Sequence, residues 1–379
     1  MKQRIRGTEM SVDWIFGDYR IVKKIATGGM AEVFLAKKMG ARGFEKLLAI
    51  KRVLPQFSEN EDFISMFIDE AKLVAQLSHR NIVQIYDFGS QQGAYYIAME
   101  YVFGKDVRSI LKKSVEKQRR IPLLQAIYII AEAAKGLENA HNLKDPCGAS
   151  LQIIHRDISP QNILISYEGE VRLADFGIAK AASKSTETRA GVLKGKILYM
   201  SPEQAWGKPI DKRSDLYSLG VVFYEMVAYQ KVFDADSEFS LLEKVRHGQV
   251  EFPPEVFQKV PKPIFRILKK ALEKDPEDRY QSAHEMHVDL ESYLFTTKET
   301  SRERTLSNYL KDLFQEEIGE ETKVLTEKTG TLDEKTAFAE PGPGTESREP
   351  VPLPESERVP LLQSLREAVL RRDVRMRVG

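Results

Sequence analysis

The chain changes from strand-like to helix-like sequence patterns near residue 106, and this change limits its possible folds more than any other feature. Between residues 19 and 105, five short runs of β-branched and aromatic residues alternate with Gly, Asn or polar turns, and one helical pattern interrupts them at about 61–78. The strand-like runs are 19–26, 33–38, 47–53, 82–88 and 94–99, and the later helical patterns are 121–142, 212–229, 239–247, 262–274 and 282–294. We therefore predict an α+β fold with a small strand-rich lobe, a larger helix-rich lobe and a cleft between them.

The composition indicates a cytoplasmic protein. The 379 residues carry a net charge of +1, which argues against an overall electrostatic grip on nucleic acid or anionic lipid. Cys147 is the only cysteine, so no internal disulfide can form, as suits a reducing compartment. The N-terminus lacks the apolar core of a secretory signal. The apolar stretches 123–134 and 216–229 fall short of the roughly 20 residues that a membrane-spanning helix needs, so we expect buried helices and no transmembrane segment.

Shifts in composition divide the chain into five segments. We expect an N-terminal extension at 1–18, a folded domain at 19–295 with lobes at 19–101 and 102–295, a helical extension at 296–315, a disordered linker at 316–358 and a basic amphipathic segment at 359–379. The linker is rich in Glu, Thr, Pro and Gly, which is typical of disorder. The last segment either docks on a partner, a membrane surface or the folded domain, or remains solvated.

A hairpin with little side-chain bulk lies between the first two predicted strands. Its sequence at residues 25–33 is IATGGMAEV. Glycine lets a ligand approach the backbone closely, so the N–H groups of such a loop can hold a polyphosphate. Two adjacent glycines are equally typical of an ordinary hairpin turn, so the loop alone leaves both interpretations open.

The next strand and the helix after it each carry a charged residue where an apolar one is expected. Side chains alternate along a strand, so Lys51 shares a face with Ala49 and Val53. Glu70 lies within the apolar stripe of the helix at 61–78. A buried charge is unfavourable unless an opposite charge meets it. We therefore predict that Lys51 and Glu70 form an ion pair, although Lys51 could instead lie on an exposed edge.

Eight motifs in order make the chain similar to the eukaryote-like (Hanks-type) protein kinases, in their bacterial serine/threonine branch. They are IATGGMAEV, LAIK, Glu70, HRDISPQN at 155–162, DFG at 175–177, SPE, the DLYSLG helix and DPEDRY. The resemblance covers residues 19–294. It implies the two-lobe protein kinase fold and transfer of the ATP γ-phosphate with Mg²⁺, or Mn²⁺, as the metal.

The resemblance also implies the roles of the polar site residues. Lys51 holds the α- and β-phosphates and is held by Glu70, and Asp157 orients the attacking hydroxyl. Asn162 and Asp175 bind the metal through oxygen. Considered singly, each of the last three could be a helix cap or a turn residue.

The expected nucleotide pocket combines the hairpin with the connection between the lobes. By resemblance, Val33, Ala49 and Leu164 enclose the base and Met99 lies behind it. The resemblance also implies that backbone groups of Glu100 and Val102 form hydrogen bonds to the base, and that Asp106 binds the ribose. The loop residues over the phosphates are Ile25, Ala26, Thr27, Gly28, Gly29, Met30 and Ala31.

The segment after DFG is rich in hydroxyl groups and lysine. It is either a solvated loop or an activation segment whose phosphate binds Arg156 through charge-assisted hydrogen bonds. The candidate phosphosites are Ser183, Ser185, Thr186 and Thr188. By resemblance, Glu203 and Arg279 form an ion pair that anchors this segment, and Asp215 holds the backbone of the catalytic loop.

The chain departs from the family at four positions. Ala26 and Ala31 replace the first and third loop glycines, which we expect to alter the affinity for ATP without abolishing binding. Ser159 stands where a lysine is usual, and Lys196 where a threonine is usual. We hypothesise that these two side chains have exchanged roles, with independent drift as the alternative.

We therefore predict a serine/threonine protein kinase that acts on protein substrates and phosphorylates its own activation segment. One alternative is a pseudokinase scaffold that binds nucleotide and partners without transfer. A small-molecule kinase of the aminoglycoside phosphotransferase type is a second alternative, but it would need neither the activation segment nor the SPE and DLYSLG motifs.

Overall fold

A computed structural model describes residues 15–40, 44–91, 93–177, 192–297 and 302–329. Nine strands and twelve α-helices lie in these ranges. The strands are β1 Ile15–Phe16, β2 Tyr19–Thr27, β3 Ala31–Met39, β4 Glu45–Val53, β5 Ile85–Gln91, β6 Ala94–Met99, β7 Gly104–Asp106, β8 Ile163–Ser166 and β9 Val171–Leu173. The helices are α1 Glu61–Val74, α2 Val107–Glu116, α3 Leu123–His141, α4 Val192–Ile197, α5 Pro202–Ala205, α6 Lys212–Ala228, α7 Glu238–His247, α8 Pro254–Phe257, α9 Lys262–Ala271, α10 Ala283–Phe295, α11 Arg302–Leu313 and α12 Gln315–Thr329.

The N-terminal lobe is a six-stranded antiparallel sheet with the order β1-β2-β3-β4-β6-β5. Strand β4 is buried on both faces and separates two apolar clusters. Leu48 and Ile50 belong to the cluster around Tyr19 and Tyr96, whereas Val53 packs with the apolar face of α1. The predicted alternation along this strand is therefore present, and it directs Lys51 to the α1 side.

The helical lobe is built around α3 and α6, which are almost wholly buried. Their apolar stretches are those that the sequence analysis assigned to buried helices. In the part of the chain that the structure describes, no helix is both long and apolar enough to cross a membrane. The predicted α+β architecture of two lobes is confirmed.

The connection between the lobes runs from β6 through residues 100–103 into β7, and we call residues 100–106 the hinge. Strand β7 pairs with β8, and β8 with β9, in a small antiparallel sheet. Lys105 pairs with Ile165 in this sheet, and Asp106 pairs with Leu164. A Cβ on Gly104 would lie 1.9 Å from the Ile165 carbonyl oxygen, so only glycine fits there. These contacts place the hinge directly beside the catalytic loop.

The structure differs from the sequence-based expectations at both ends of the domain. Strand β1 lies inside the expected N-terminal extension because Phe16 is buried against Tyr96, with ring centroids 5.1 Å apart. At the other end, α12 occupies residues 315–329, where disorder was expected from 316 onward. Its acidic side chains bind lysines of the folded domain, which composition alone does not show. The predicted linker beyond 329 and the segment 359–379 lie outside the described residues.

Candidate active site

Lys51 and Asp175 meet at the floor of the cleft. Lys51 lies on β4 opposite Val33 of β3 and Ile97 of β6, and its ammonium donates to Asp175 Oδ1 at 2.8 Å. A small cavity of about 30 Å³ lies behind the pair, lined by apolar residues that include Met99 and Phe176. Two residues 124 positions apart in the chain are thus joined by a charge-assisted hydrogen bond.

Asp157 and Asn162 form the second part of the site. Asn162 Nδ2 donates to Asp157 Oδ2 at 2.8 Å and to the Asp157 carbonyl at 2.7 Å. Both amide hydrogens therefore serve Asp157, and the amide oxygen is the atom that can bind a cation. The Ala174 N–H donates to the Asn162 carbonyl at 2.9 Å, which ties this loop to the residue before Asp175.

A buried carboxylate holds the loop that carries Asp157. Asp215, at the start of α6, is 1% exposed and accepts from the backbone N–H groups of His155 and Arg156, each at 2.8 Å. His141 Nε2 also lies 2.8 Å from Asp215 Oδ2. Arg156 has φ +65°, a left-handed conformation that is unfavourable for a residue with a long side chain. The hydrogen bonds to Asp215 fix this conformation.

The segment around Phe176 is fixed in the same way. Phe176 is 1% exposed and packs on His155 with ring centroids 4.3 Å apart. His155 Nε2 lies 3.1 Å from the Ala174 carbonyl, and the Gly177 N–H donates to the His155 carbonyl at 2.7 Å. Asp175 itself has φ +56°, which aspartate tolerates better than most residues. These contacts join the catalytic loop to the Asp175 segment.

The predicted nucleotide-pocket residues lie on the β2–β3 hairpin, on the strands next to Lys51, on the hinge and on β8. Gly28 N–H donates to the Ala31 carbonyl at 2.8 Å and closes the β2–β3 hairpin, and a Cβ on Gly29 would meet no atom within 4 Å. Met30 instead packs inward against the core on the α1 side of the sheet. In the hairpin, Ile25, Ala26 and Thr27 are exposed. Elsewhere in the predicted pocket the side chains are at least partly buried at Val33, Ala49, Met99, Val102 and Leu164.

Two predicted pocket residues have further contacts that the sequence did not suggest. Glu100 Oε1 accepts from Arg172 Nε at 3.2 Å, so its carboxylate ties the hinge to β9. Asp106 caps α2 by accepting from the Ser109 N–H at 2.9 Å and from its hydroxyl at 2.8 Å. The cap leaves Asp106 able to accept further bonds, because a carboxylate has about four acceptor positions.

Comparison with known proteins identifies the family. The family model described as the protein kinase domain matches residues 19–290 of this chain. The chain belongs to the protein kinase family. The predicted resemblance and the two-lobe kinase fold are confirmed.

Among relatives, the chain is 43% identical over 302 residues to the tyrosine-protein kinase MasK of Myxococcus xanthus. The aligned region covers 80% of this chain and 47% of MasK. It is 36% identical over 280 residues to the serine/threonine-protein kinase PrkC of Bacillus subtilis, which covers 73% of this chain and 41% of PrkC. The chain thus spans less than half the length of either relative. A solved structure, the kinase domain of Mycobacterium tuberculosis PknI, matches with a TM-score of 0.55 and 25% identity over 75% of this chain and 99% of that one.

The kinase domain has a buried ion pair between α5 and the segment before α10. Arg279 donates from Nη1 and Nη2 to the two oxygens of Glu203 at 2.7 and 2.8 Å, and the Ser214 hydroxyl donates to Oε1 at 2.6 Å. Burial alone would raise the pKa of Glu203, but the hydrogen bonds and charge of Arg279 outweigh it and lower the pKa to about 2. The predicted pairing is present in the structure.

Gln204 is a supporting residue that the sequence analysis missed. Its side-chain amide donates to the Arg156 carbonyl at 3.1 Å, directly before Asp157. The same side chain completes a capping box with Ser201 at the start of α5. The pattern Ser-x-x-Gln is a recognisable helix-start signature, so the sequence did contain a signal for this residue.

The structure describes only some of the remaining predicted positions. The candidate phosphosites Ser183, Ser185, Thr186 and Thr188 lie outside the described residues. The Glu70 side chain also lies outside them, although its backbone belongs to α1. Lys196 is the last residue but one of α4, and its side chain is partly buried. Arg156 Nε is buried and has no hydrogen-bond partner among the described residues.

Proposed function

We propose that this chain is a serine/threonine protein kinase that transfers the γ-phosphate of ATP to hydroxyl groups of proteins. The observation that carries the proposal is a series of three hydrogen bonds. Lys51 donates to Asp175, the backbone N–H of Ala174 donates to the Asn162 carbonyl, and the Asn162 side chain donates to Asp157. It brings a cation, a carboxylate, an amide oxygen and a second carboxylate into one cleft. These are the groups that phosphoryl transfer requires, since its catalysis is mainly positioning and electrostatic stabilisation.

The side chains in the cleft suit a hard divalent cation, for which we propose Mg²⁺. Among the described residues, no three His, Cys, Asp or Glu side chains form a metal-binding cluster. Mg²⁺ does not need such a cluster, because it commonly binds one or two protein oxygens together with phosphate oxygens and water. Asp175 and the amide oxygen of Asn162 would hold it. The bound metal would neutralise the charge that develops on the transferred phosphate.

Each side chain in the site has a separate proposed role that follows from its position. Lys51 is a fixed point charge on a buried strand, and in ATP binding it would contact phosphate oxygens in addition to Asp175. Asp157 is oriented by Asn162 and by the backbone that Asp215 holds, so its carboxylate can accept a hydrogen bond from a substrate hydroxyl. Arg156 directly precedes Asp157, a position that suits the proposed binding of an activation-segment phosphate through charge-assisted hydrogen bonds.

The named relatives include both acceptor classes. Pro160 and Gln161 resemble the serine/threonine pattern, and PrkC is named a serine/threonine kinase, but MasK is named a tyrosine kinase. We favour serine and threonine as the acceptors. The basic segment 359–379 either docks on a partner or on the kinase domain, or remains solvated.

One experiment tests both the transfer and the acceptor. Purified chain is incubated with radiolabelled ATP and Mg²⁺, and the labelled protein is hydrolysed for phosphoamino-acid analysis. We expect phosphoserine or phosphothreonine from the wild type and none from Asp157→Asn, which should still bind ATP. Phosphotyrosine alone would overturn the acceptor class, and equal labelling of both proteins would overturn the role of Asp157.

A further inference from the structure

Helix α12 lies against the hinge through two ion pairs. Glu321 Oε1 accepts from Lys105 Nζ at 2.5 Å, and Glu317 pairs with Lys113. Lys105 directly precedes Asp106, and Lys113 lies on α2, the helix that Asp106 caps. Helix α12 thus contacts the chain on both sides of the position expected to bond the ribose.

Helix α12 depends on these contacts. Glu317 and Glu321 lie one turn apart on the same face, where two like charges destabilise a helix unless cations meet them. None of its side chains described, 315–326, is fully buried, and Ile318 is only partly buried against the core. By contrast, α11 buries Leu306 and Leu310 completely. A 15-residue helix with little buried apolar surface is marginal on its own, so docking holds α12 in place.

Aromatic contacts extend the docking into the hinge itself. Phe314, just before α12, packs on Tyr167 with ring centroids 6.3 Å apart, and Tyr167 meets the hinge residue Phe103 edge-on at 5.0 Å. Lys105 Nζ lies 5.9 Å from the centre of the Phe314 ring. Burial, with a contribution from the Glu321 carboxylate, raises the pKa of the hinge residue Tyr101 to about 12.

We propose that α12 positions the hinge for nucleotide binding, with Lys105 and Glu321 as positioning residues. The inference rests on the proposed function, because it concerns the ATP affinity of the same cleft. The backbone groups of Glu100 and Val102 are expected to hydrogen-bond the adenine. Arg172 binds Glu100 at the start of the hinge, and Glu321 binds Lys105 near its end. A hinge that is ordered before ATP arrives loses less conformational freedom on binding, so release of α12 weakens ATP binding.

The test is charge reversal in the full chain, Glu321→Lys, with the Kd for ATP and Mg²⁺ measured by calorimetry. We expect the Kd to rise about threefold to tenfold, with kcat at saturating ATP unchanged. An added positive charge by itself favours ATP, so weaker binding cannot arise from the change in net charge. Glu168→Lys is the matched control, because it breaks the exposed Lys311–Glu168 pair between α11 and the β8–β9 turn. Its Kd should remain that of the wild type.

A second variant separates positioning from loss of stability. Lys105→Glu combined with Glu321→Lys restores an ion pair in the opposite sense and should return the Kd towards the wild-type value. If the wild type binds ATP and Glu321→Lys binds it equally well, this inference is wrong while the proposed function stands. A lower kcat or thermal midpoint with unchanged Kd would likewise reject it. Absence of ATP binding by the wild type would overturn both.

Discussion

The structure of the Glu203–Arg279 ion pair allows the loss of stability caused by one substitution to be estimated. The Arg279 side chain is 0% exposed and that of Glu203 is 11% exposed. Arg279 also donates to the carbonyls of Glu273 and Lys274, each at 2.7 Å, so it cannot move into water without breaking the chain's own hydrogen bonds. Glu203→Gln keeps the shape of the side chain but removes the charge that compensates Arg279.

The expected loss of stability is several kcal/mol. Removing one partner of a buried pair typically destabilises by about 3–5 kcal/mol, since the other charge remains buried. The pKa of Glu203 leads to a similar value, because lowering it from 4.5 to about 2 corresponds to about 3 kcal/mol. We expect the thermal midpoint of Glu203→Gln to fall by roughly 5–15 °C.

The effect has a definite pH dependence. A carboxyl group whose pKa is lowered by folding stabilises the protein above its unfolded-state pKa, and this contribution disappears as pH falls towards the folded-state value. The difference in unfolding free energy between wild type and Glu203→Gln should therefore be constant above about pH 5 and shrink as pH falls further. Urea unfolding of both proteins across this range measures it.

An exposed ion pair serves as the control that isolates burial as the cause. Glu277 accepts from Arg213 Nη1 at 2.8 Å, but its side chain is 76% exposed. An exposed pair contributes about 0–1 kcal/mol, so Glu277→Gln should hardly change the midpoint. If Glu203→Gln and Glu277→Gln are equally stable, or if the Glu203 effect persists unchanged at low pH, the reasoning from burial is wrong.

Further predictions concern the catalytic loop and the C-terminal segment. If Ser159 and Lys196 have exchanged roles, Ser159→Lys and Lys196→Thr should each lower kcat and the double variant should recover much of it; strictly additive losses would reject the exchange. Gln204→Ala removes the bond to the Arg156 carbonyl and should lower kcat several-fold without changing the Kd for ATP, whereas a parallel change in both constants would contradict a role confined to the loop. Truncation after residue 358 separates the two interpretations of the last segment: reduced partner capture in pull-down assays or altered activity would indicate docking, and no change in either would favour a solvated terminus.

The predicted elements reproduce most of the fold because their signals are local. The strands and long helices follow hydrophobic periodicity, and the structure shifts their ends by a few residues. For example, the first helix ends at Val74 rather than 78, and the strand expected from 82 begins at Ile85. Ile82 instead forms an isolated bridge with Leu173, a contact 91 positions away that no local pattern reveals.

The candidate site was predictable to a different degree. The motifs were sufficient to assign Lys51 and Asp175 to one nucleotide–metal site, and the structure places Lys51 Nζ 2.8 Å from Asp175 Oδ1. The second roles of Asp106 as a helix cap and of Glu100 as a partner of Arg172 depend on which surfaces pack together, so the sequence did not suggest them. The same holds for α12, whose acidic composition favours disorder until lysines of the folded domain meet its carboxylates.

The proposed function requires that Lys51, Asp157, Asn162 and Asp175 form one metal–nucleotide site. The most direct test is the Kd for ATP, measured with and without Mg²⁺, in the wild type and in Asp175→Asn. We predict that Mg²⁺ tightens ATP binding in the wild type and that most of this gain is lost in Asp175→Asn, with the folded state unchanged by circular dichroism. An equal gain from Mg²⁺ in both proteins would contradict the assignment of Asp175 and, with it, the proposed site.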